Sequence, residues 1–504
     1  MMKFLISVVT ASAAFVLFAM YEGDKIQSQA WRGETVYMKI PDNMAYEMMP
    51  YNNTTNQGVS IKLYGLLPVA YAEDTKSPNL RYRKDLLVDL SADNSMKSLR
   101  DMPPPSVCEI VVPTSAKRGV RDFGPLQVRV IDRVLPPVKD WKYFLDLWQH
   151  PWAVSRYFDV KPFSKEHYAA MEPVWRMLAS GGVKALTVTL LDLPWNHQCY
   201  DAYHSMVERV KKDDGTWSFD YKLFDEYVEF GRKCGIGPDI ACYTMCPWGY
   251  VVRWKNERGE ICRVKAIPGT KEFEDYWGDF LVDFTKHLKE KGWFEDAYIA
   301  MDERSPEDVS KIAAFIQKKS PGMKIAMAGN RKPSEFKGIV VDNYCQYLGY
   351  LTDDFFAELA PRREKGWKTT LYVCCSPGYP NTFMESGDEE SFYLGAFPAI
   401  CGFDGFLRWA ANSWPHNPYR DTTFGNWKPG DTFLVYPNGE ASIRFIYLRN
   451  GVVAAEKIRL MCEAGLLDAK ELQELNKKYG YKDALNGKLD MKKFEEAINR
   501  LVNR

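Results

Sequence analysis

Apolar and polar residues alternate along the first quarter of the chain and then give way to a longer rhythm. From Trp31 to about Val130 short apolar stretches run with a period of two, at Glu34–Ile40, Val59–Tyr64, Leu86–Leu90, Cys108–Val112 and Leu126–Val130. Successive strand side chains point to opposite faces, so this alternation, broken by Asn, Pro and Gly, predicts antiparallel strands folded as a β-sandwich. Pro103–Pro105 and Pro136-Pro137 form stiff connections, and the second falls where the pattern changes. Beyond it apolar runs of strand length alternate with amphipathic stretches. The expected strands are Phe144–Trp148, Ala185–Leu193, Gly237–Tyr243, Ala297–Met301, Lys324–Ala328, Gly338–Tyr344, Thr369–Cys374 and Gly402–Arg408. Ser164–Ser180, Phe219–Cys234, Lys271–Lys291 and Pro306–Lys319 carry apolar residues at helical spacing between them.

Eight strands alternating with helices over about 290 residues have the length and period of a (β/α)8 barrel. A doubly wound open sheet is the competing architecture, but no Gly-x-Gly-x-x-Gly follows the first strands to favour it. Thr432–Tyr436 predicts a short β segment, and Glu456–Ala464, Lys470–Lys478 and Met491–Val502 predict packing helices behind the barrel. The expected organisation is a leader at 1–22, a sandwich at 30–135, the barrel at 138–430 and a C-terminal β segment with helices at 431–504. In the leader, Lys3 precedes an uncharged apolar run from Phe4 to Met20, the layout of a secretory signal, so the chain is expected to be exported to the periplasm, cell surface or medium. A run of that length is also near the lower limit of a spanning helix, so an uncleaved anchor is the alternative.

Composition narrows the partners. Lys plus Arg and Asp plus Glu both number 66, and zero net charge argues against nucleic acid or an anionic membrane surface. The chain is 14% aromatic, with 15 Trp and 29 Tyr, which suits stacking on sugar faces but also a large aromatic core. Of 11 Cys, Cys242 and Cys246 are isolated from any second pair of zinc-ligand spacing, so no metal and no cofactor are expected. Cys374 and Cys375, neighbours in an apolar run, are expected to be buried thiols; one or two disulfides among the rest would suit an exported chain.

The candidate chemistry gathers where the fourth barrel strand stops, on Asp302 and Glu303. Ser305-Pro306-Glu307-Asp308 starts the next helix, with Ser as N-cap and Pro in the first turn. The two acids therefore occupy a βα loop, on the catalytic face of such a barrel. Two carboxyls so close cannot both ionise freely, and the raised pKa of one suits a general acid. The ordinary alternative is an acidic loop in which Asp302 bonds the helix start or pairs with Arg304. Other strand ends supply candidates for a sugar-binding bowl: Trp148, His150, Trp195, His197, Tyr243, Trp248, Tyr344, Trp409, Asn412 and Trp414. Any single Trp at a strand end is core as often as platform, and the joint placement is what points to a glycan.

At Asp302-Glu303, taken with Leu407–Trp414, Gly430–Pro437, Ser442–Arg444 and the Trp31–Glu34 opening, the chain resembles glycoside hydrolase family 123 over about residues 31–460. Phe445–Tyr447 and Ala454-Ala455 stand where the family pattern is more polar. The resemblance implies a sandwich before a (β/α)8 barrel and a retaining β-N-acetylgalactosaminidase that uses the 2-acetamido group of its substrate as nucleophile. It implies Glu303 as acid and then base, with Asp302 holding the acetamido N–H. The residues themselves leave the order within the pair open. They also leave two rivals, a non-catalytic glycan-binding protein and a glycosidase with a conventional carboxylate nucleophile, for which Asp192 or Asp404 would serve.

Overall fold

The computed structural model describes residues 20–22, 25–72, 80–90, 103–336 and 338–504; the expected leader lies outside them but for its last three residues. The chain forms two compact units, one of residues 1–66, 88–135 and 495–504, the other of residues 67–87 and 136–494.

The first unit is built from Met20–Glu22 (β1), Lys25–Arg32 (β2), Thr35–Lys39 (β3), the single turn Ala45–Met48 (α1), Thr55–Asn56 (β4), parts of Val59–Ala72 (β5) and Leu80–Asp89 (β6), Pro105–Val111 (β7), Gly119–Phe123 (β8) and Leu126–Val134 (β9). One sheet runs β1-β2-β9-β8, and the other runs β3-β7-β5-β4 with β6 beside β5. The period-two pattern does what it predicts: Ile26 and Ala30, Val36 and Met38, Ile61 and Leu63, Cys108 and Ile110, and Leu126, Val128 and Val130 turn inward to one apolar core. The expectation of purely antiparallel pairing is corrected, because β2 and β9 pair in parallel from Ile26 and Leu126 onward. Alternation says which face is buried and is blind to the direction of the neighbour.

The second unit contains the barrel. Its chain order is Phe144–Leu147 (β10), Pro151–Tyr157 (α2), Lys165–Ser180 (α3), Ala185–Thr189 (β11), the hairpin Glu208–Lys211 (β12) and Trp217–Asp220 (β13), Lys222–Cys234 (α4), Asp239–Tyr243 (β14), the hairpin Val251–Asn256 (β15) and Ile261–Lys265 (β16), Lys271–Glu290 (α5), Ala297–Met301 (β17), Pro306–Lys319 (α6), Lys324–Gly329 (β18), Asn343–Tyr347 (β19), Leu359–Glu364 (α7), Lys368–Val373 (β20), Asp388–Cys401 (α8) and Gly405–Arg408 (β21). After them come Ile443–Glu463 (α9), Ala469–Lys478 (α10), Tyr481–Leu485 (α11) and Met491–Val502 (α12), most of which belongs to the first unit. The parallel sheet runs β10-β21-β20-β19-β18-β17-β14-β11, and a parallel bridge from Leu145 to Val183 closes it. The barrel strands are buried almost throughout because helices cover one face and the packed interior the other. Hydroxyl caps start the helices: Ser164 accepts from the His167 amide at 3.2 Å, Ser305 from Asp308 at 3.1 Å and Ser442 from Phe445 at 3.0 Å.

Several boundaries move. β19 begins at Asn343, five residues after the expected start, because the apolar Ile339–Val341 lies in the turn that precedes it. The expected second strand stops at Thr189, and Trp217–Asp220, partly expected to open a helix, is a strand. The hairpins β12–β13 and β15–β16 join as β13-β12-β15-β16, a small sheet grown from two βα loops whose short, mostly solvent-facing strands fall outside the strand and helix rhythm of the barrel. Thr432–Tyr436 makes only isolated bridges, Phe433 to Asn412 and Val435 to Ala441.

α9 is one helix buried on nearly every side, and Phe445, Ile446, Tyr447, Ala454 and Ala455 all lie inside it. Their apolar character follows from that burial. It packs on α8 backbone to backbone: a Cβ at Gly395 would stand 2.5 Å from Leu448 O, and one at Gly451 2.3 Å from Phe392 O. The motif block of the C-terminal half forms one buried polar knot. Arg444 is bidentate to Asp85 at 3.0 and 3.1 Å and donates to the carbonyls of Thr382, Gly430 and Phe433, while Arg408 pairs with Asp431.

Candidate active site

β17 ends at Met301, and Ser305 caps α6, so the chain between them must turn, and Asp302 and Glu303 occupy that turn. Both are half-buried. Asp302 Oδ2 accepts from Trp248 Nε1 at 2.9 Å, across from the loop after β14. Glu303 Oε1 accepts from the Tyr372 hydroxyl near the end of β20, and its Oε2 accepts from Asn330 Nδ2 at 3.3 Å, just beyond β18. Four strand ends thus supply the pair and its partners. Arg304 does not bind the pair as a simple ion pair; its guanidinium lies 4.0 Å over the Trp248 ring.

Burial raises the Asp302 carboxyl above the ordinary carboxylate value, against the Trp248 hydrogen bond, the Glu303 amide and the Arg304 charge. Glu303 is raised as well, by burial first and then by the Asp302 charge, while Tyr372, Asn330 and Arg304 pull it down. One of two such coupled carboxyls retains a proton at a pH where a free carboxylate has lost it. The pair therefore offers a proton and a negative charge from neighbouring positions.

The other candidates divide. Tyr243 ends β14 and is close enough to Asp302 for that charge to help raise its hydroxyl, after burial. Its ring packs on Trp148 at 4.5 Å and on Trp195 at 5.1 Å, and Trp148 and Trp195 lie 5.0 Å apart. Trp148 and Trp195 are each 2% exposed, whereas Trp248 is half-buried, so Trp248 is the ring of this group that faces the bowl. Trp409 is buried edge-on to Trp427 at 5.6 Å.

Four candidates are corrected, and a fifth, His197, stays on the surface. His150 is fully buried, stacks on Tyr203 at 3.7 Å and caps α2, and burial lowers its imidazole to about 3. Asn412 holds the His150 backbone through both its amide groups, at 2.9 and 3.1 Å. Trp414 is core, its Nε1 donating to Val435 O at 2.7 Å. Tyr344, second in β19 and not at its end, spends its hydroxyl on the Arg331 carbonyl. His197 is exposed on its loop. A buried polar side chain must satisfy its own hydrogen bonds, and His150, Asn412, Trp414 and Tyr344 meet that demand inside the scaffold.

Local pattern gives no sign of Tyr372 or Tyr347: the first lies within β20, and the second becomes a strand end only because β19 starts at Asn343. The conventional nucleophiles are also engaged: Asp192 accepts from the Ser205 amide at 2.9 Å beside His204, and Asp404 precedes β21, bound to Arg363 at 2.8 Å and the Thr369 amide at 2.7 Å. Asp404 thus lies at the end of the barrel opposite the carboxylate pair.

Three comparisons bear on this geometry. The family model for the glycoside hydrolase 123 catalytic domain matches residues 148–461. A family 123 glycoside hydrolase from Clostridium perfringens, described for glycolipid glycan hydrolysis, superposes with a TM-score of 0.79 at 22% identity, over 94% of this chain and 93% of that one. A family 39 glycoside hydrolase from the gut symbiont Bacteroides cellulosilyticus WH2 reaches a TM-score of 0.36 at 10% identity, over 84% and 81% of the two chains. The search of curated proteins returned no match.

Proposed function

Since the chain belongs to glycoside hydrolase family 123 and is a glycosidase, we propose that it removes β-linked N-acetylhexosamine, N-acetylgalactosamine foremost, with retention and by substrate-assisted catalysis. The observation that carries the reading is that Asp302 and Glu303 are consecutive residues in one turn, each with its own partner. A conventional retaining pair stands about 5 Å apart on opposite sides of the scissile bond. Two consecutive side chains approach the sugar from one side, which suits a proton donor beside an amide-orienting group.

In this mechanism Glu303 protonates the glycosidic oxygen as the acetamido oxygen of the substrate attacks C1. Asp302, pinned by Trp248, accepts from the acetamido N–H and offsets the positive charge that grows on that nitrogen. Departure of the aglycone leaves an oxazoline-like intermediate. Glu303, now a carboxylate, takes a proton from water, which adds to C1 and restores the retained anomer. Asp302 acts on charge that exists only as the reaction proceeds, so its contribution falls chiefly on kcat.

The test pairs aryl β-N-acetylgalactosaminide with the gluco epimer and adds a thiazoline analogue of the intermediate. Faster turnover of the galacto substrate and strong inhibition are expected, with Asp302→Asn keeping substrate binding and losing roughly 10²-fold or more in kcat. A covalent glycosyl ester on any carboxylate, with no thiazoline inhibition, would overturn the mechanism. Glycoconjugates are the natural substrate class proposed, since glycolipid glycans are what the Clostridium relative is described as hydrolysing. Export is proposed on the apolar leader alone, and recovery of the chain only from the cytosolic fraction would refute it.

A further inference from the structure

The loop that follows β20 carries two thiols that this reaction does not use. β20 brings Tyr372 to Glu303 and stops at Val373, and the next residues are Cys374 and Cys375. Expected to be buried, they are not: Cys375 is the exposed member of the eleven cysteines, all of which are free thiols, and Cys374 is half-buried. Their sulfurs lie 3.9 Å apart. The turn beneath them is pinned, with the Cys374 amide donating to Ser376 O at 3.0 Å and Asn381 Nδ2 donating to Cys374 O at 3.0 Å. From that turn a continuous set of contacts reaches the acid. Tyr347 donates its hydroxyl to Ser376 Oγ at 2.6 Å, its ring packs against Tyr372 at 5.4 Å, and Tyr372 donates to Glu303.

We propose that Cys374 and Cys375 are a reversible dithiol–disulfide site on the rim of the active site, closed by low-molecular-weight disulfides such as glutathione disulfide, and that closing it slows the glycosidase. The Cys375 thiolate attacks one sulfur of the oxidant, forming a mixed disulfide and releasing one thiolate. Cys374 then loses its proton to solvent and attacks Cys375 Sγ, expelling the second thiolate. Two cysteine thiols have given up two electrons and two protons, and the oxidant has become two thiols. Exposure admits the oxidant to Cys375, and the neighbouring thiol, by hydrogen bonding to it, holds Cys375 down to about 7. Adjacent Cα atoms are about 3.8 Å apart, below the usual disulfide span of about 4.4 to 6.8 Å, so the closed ring is strained and easily reduced. A strained, exposed disulfide is the labile kind that switches.

Closing the ring draws the Cys374 sulfur away from Ser376 O, which it now contacts at 3.7 Å, and shifts the turn that holds Tyr347. Tyr347 supports Tyr372, so the hydrogen bond to Glu303 is the element that gives way. A hydrogen bond to a charged group is worth roughly tenfold or more in an equilibrium or a rate. That bond also lowers the Glu303 pKa, so its loss moves the acid upward.

The activity arm rests on the proposed glycosidase reaction, and the redox arm does not. The full chain is treated with glutathione disulfide and peptides are mapped so that Cys374-Cys375 is separated from Cys401. Expected are a loss of two hydrogens at the pair, protection of both sulfurs from alkylation, and reversal by dithiothreitol. With hexosaminide substrate, kcat should fall roughly tenfold with little change in KM, and the basic limb of the pH–rate profile should move to higher pH. Cys375→Ser should keep basal turnover and ignore the oxidant. A glutathione adduct that never closes, or a disulfide elsewhere, overturns the site. Closure with unchanged turnover overturns the regulation, and a fall in turnover with an unmoved pH limb overturns the route through Tyr372. If the reduced protein turns over no hexosaminide, the proposed function fails while the mass measurement still decides the redox chemistry.

Discussion

Glu303 accepts hydrogen bonds from two neutral donors, Tyr372 and Asn330, and burial outweighs both in setting its proton affinity. A general acid must be protonated at the start of the cycle, so activity is lost as pH rises through that elevated pKa. Glu303→Gln should lower turnover of substrates with poor leaving groups by about 10²- to 10⁴-fold and spare activated aryl glycosides. Equal losses on the two substrate types would remove Glu303 from the acid role. Tyr372→Phe tests the orientation of that acid. Its hydroxyl favours the carboxylate, so deleting it should raise the Glu303 pKa and carry the basic limb upward, while kcat falls roughly tenfold. A limb that stays in place or moves to lower pH would show that Tyr372 does not act on Glu303.

At the scale of elements, a buried polar knot ties β6 and α9 to the loops that follow β20 and β21. Leu86 bridges to Ser442, the Leu87 amide donates to Ala441 O at 3.0 Å, and Asp85 meets Arg444 and, at 2.7 Å, the Tyr436 hydroxyl. Asp85 and Arg444 are both fully buried. Removing one member of a buried pair strands the other charge, at a cost of about 3 to 5 kcal/mol. Asp85→Ala should therefore lower the urea midpoint strongly, while KM of the protein that remains folded stays near the parent value. A loss under about 1 kcal/mol would mean that water reaches Arg444 and rescues it. The same knot explains why Leu407–Trp414, Gly430–Pro437 and Ser442–Arg444 are legible together as a motif: Arg408 pairs with Asp431, Trp414 donates to Val435 O, and Arg444 donates to Gly430 O and Phe433 O, which ties the three stretches to one another.

For the whole molecule, two buried groups set opposing acid and alkaline limits on stability. Burial lowers His150 from its ordinary 6.5 to about 3, so the unfolded chain binds more protons between those values, and stability is lost as pH falls through them. Burial raises Asp146 from 3.8 to about 7, so the folded chain binds the extra proton, and stability is lost as pH rises through that window. Asp146→Asn removes only the second effect. Between pH 4 and 7 the variant should gain on the parent by on the order of 3 to 4 kcal/mol and then hold level. Thermal denaturation across that range decides it, since a difference independent of pH would mean that Asp146 does not titrate on folding.

What the sequence by itself determined was whatever depends on near neighbours. The period-two runs, the strand and helix rhythm, and the Ser305 cap that ends β17 on Asp302 and Glu303 are local, because alternation and capping act over a few residues. What only the tertiary structure decided was which distant groups meet. Trp248 reaches Asp302 from 54 positions away, Tyr372 reaches Glu303 from 69 and Asn330 from 27, because the closed parallel barrel brings together strand ends that long crossover connections separate along the chain. The same closure turned His150, Asn412, Trp414 and Tyr344 into scaffold and left Cys375 in solvent. A strand-end side chain faces the bowl or the core according to which residue is last in its strand. A shift of a few residues, as in β19, exchanges Tyr344 for Tyr347, and no local pattern fixes that boundary before the neighbouring strands are in register.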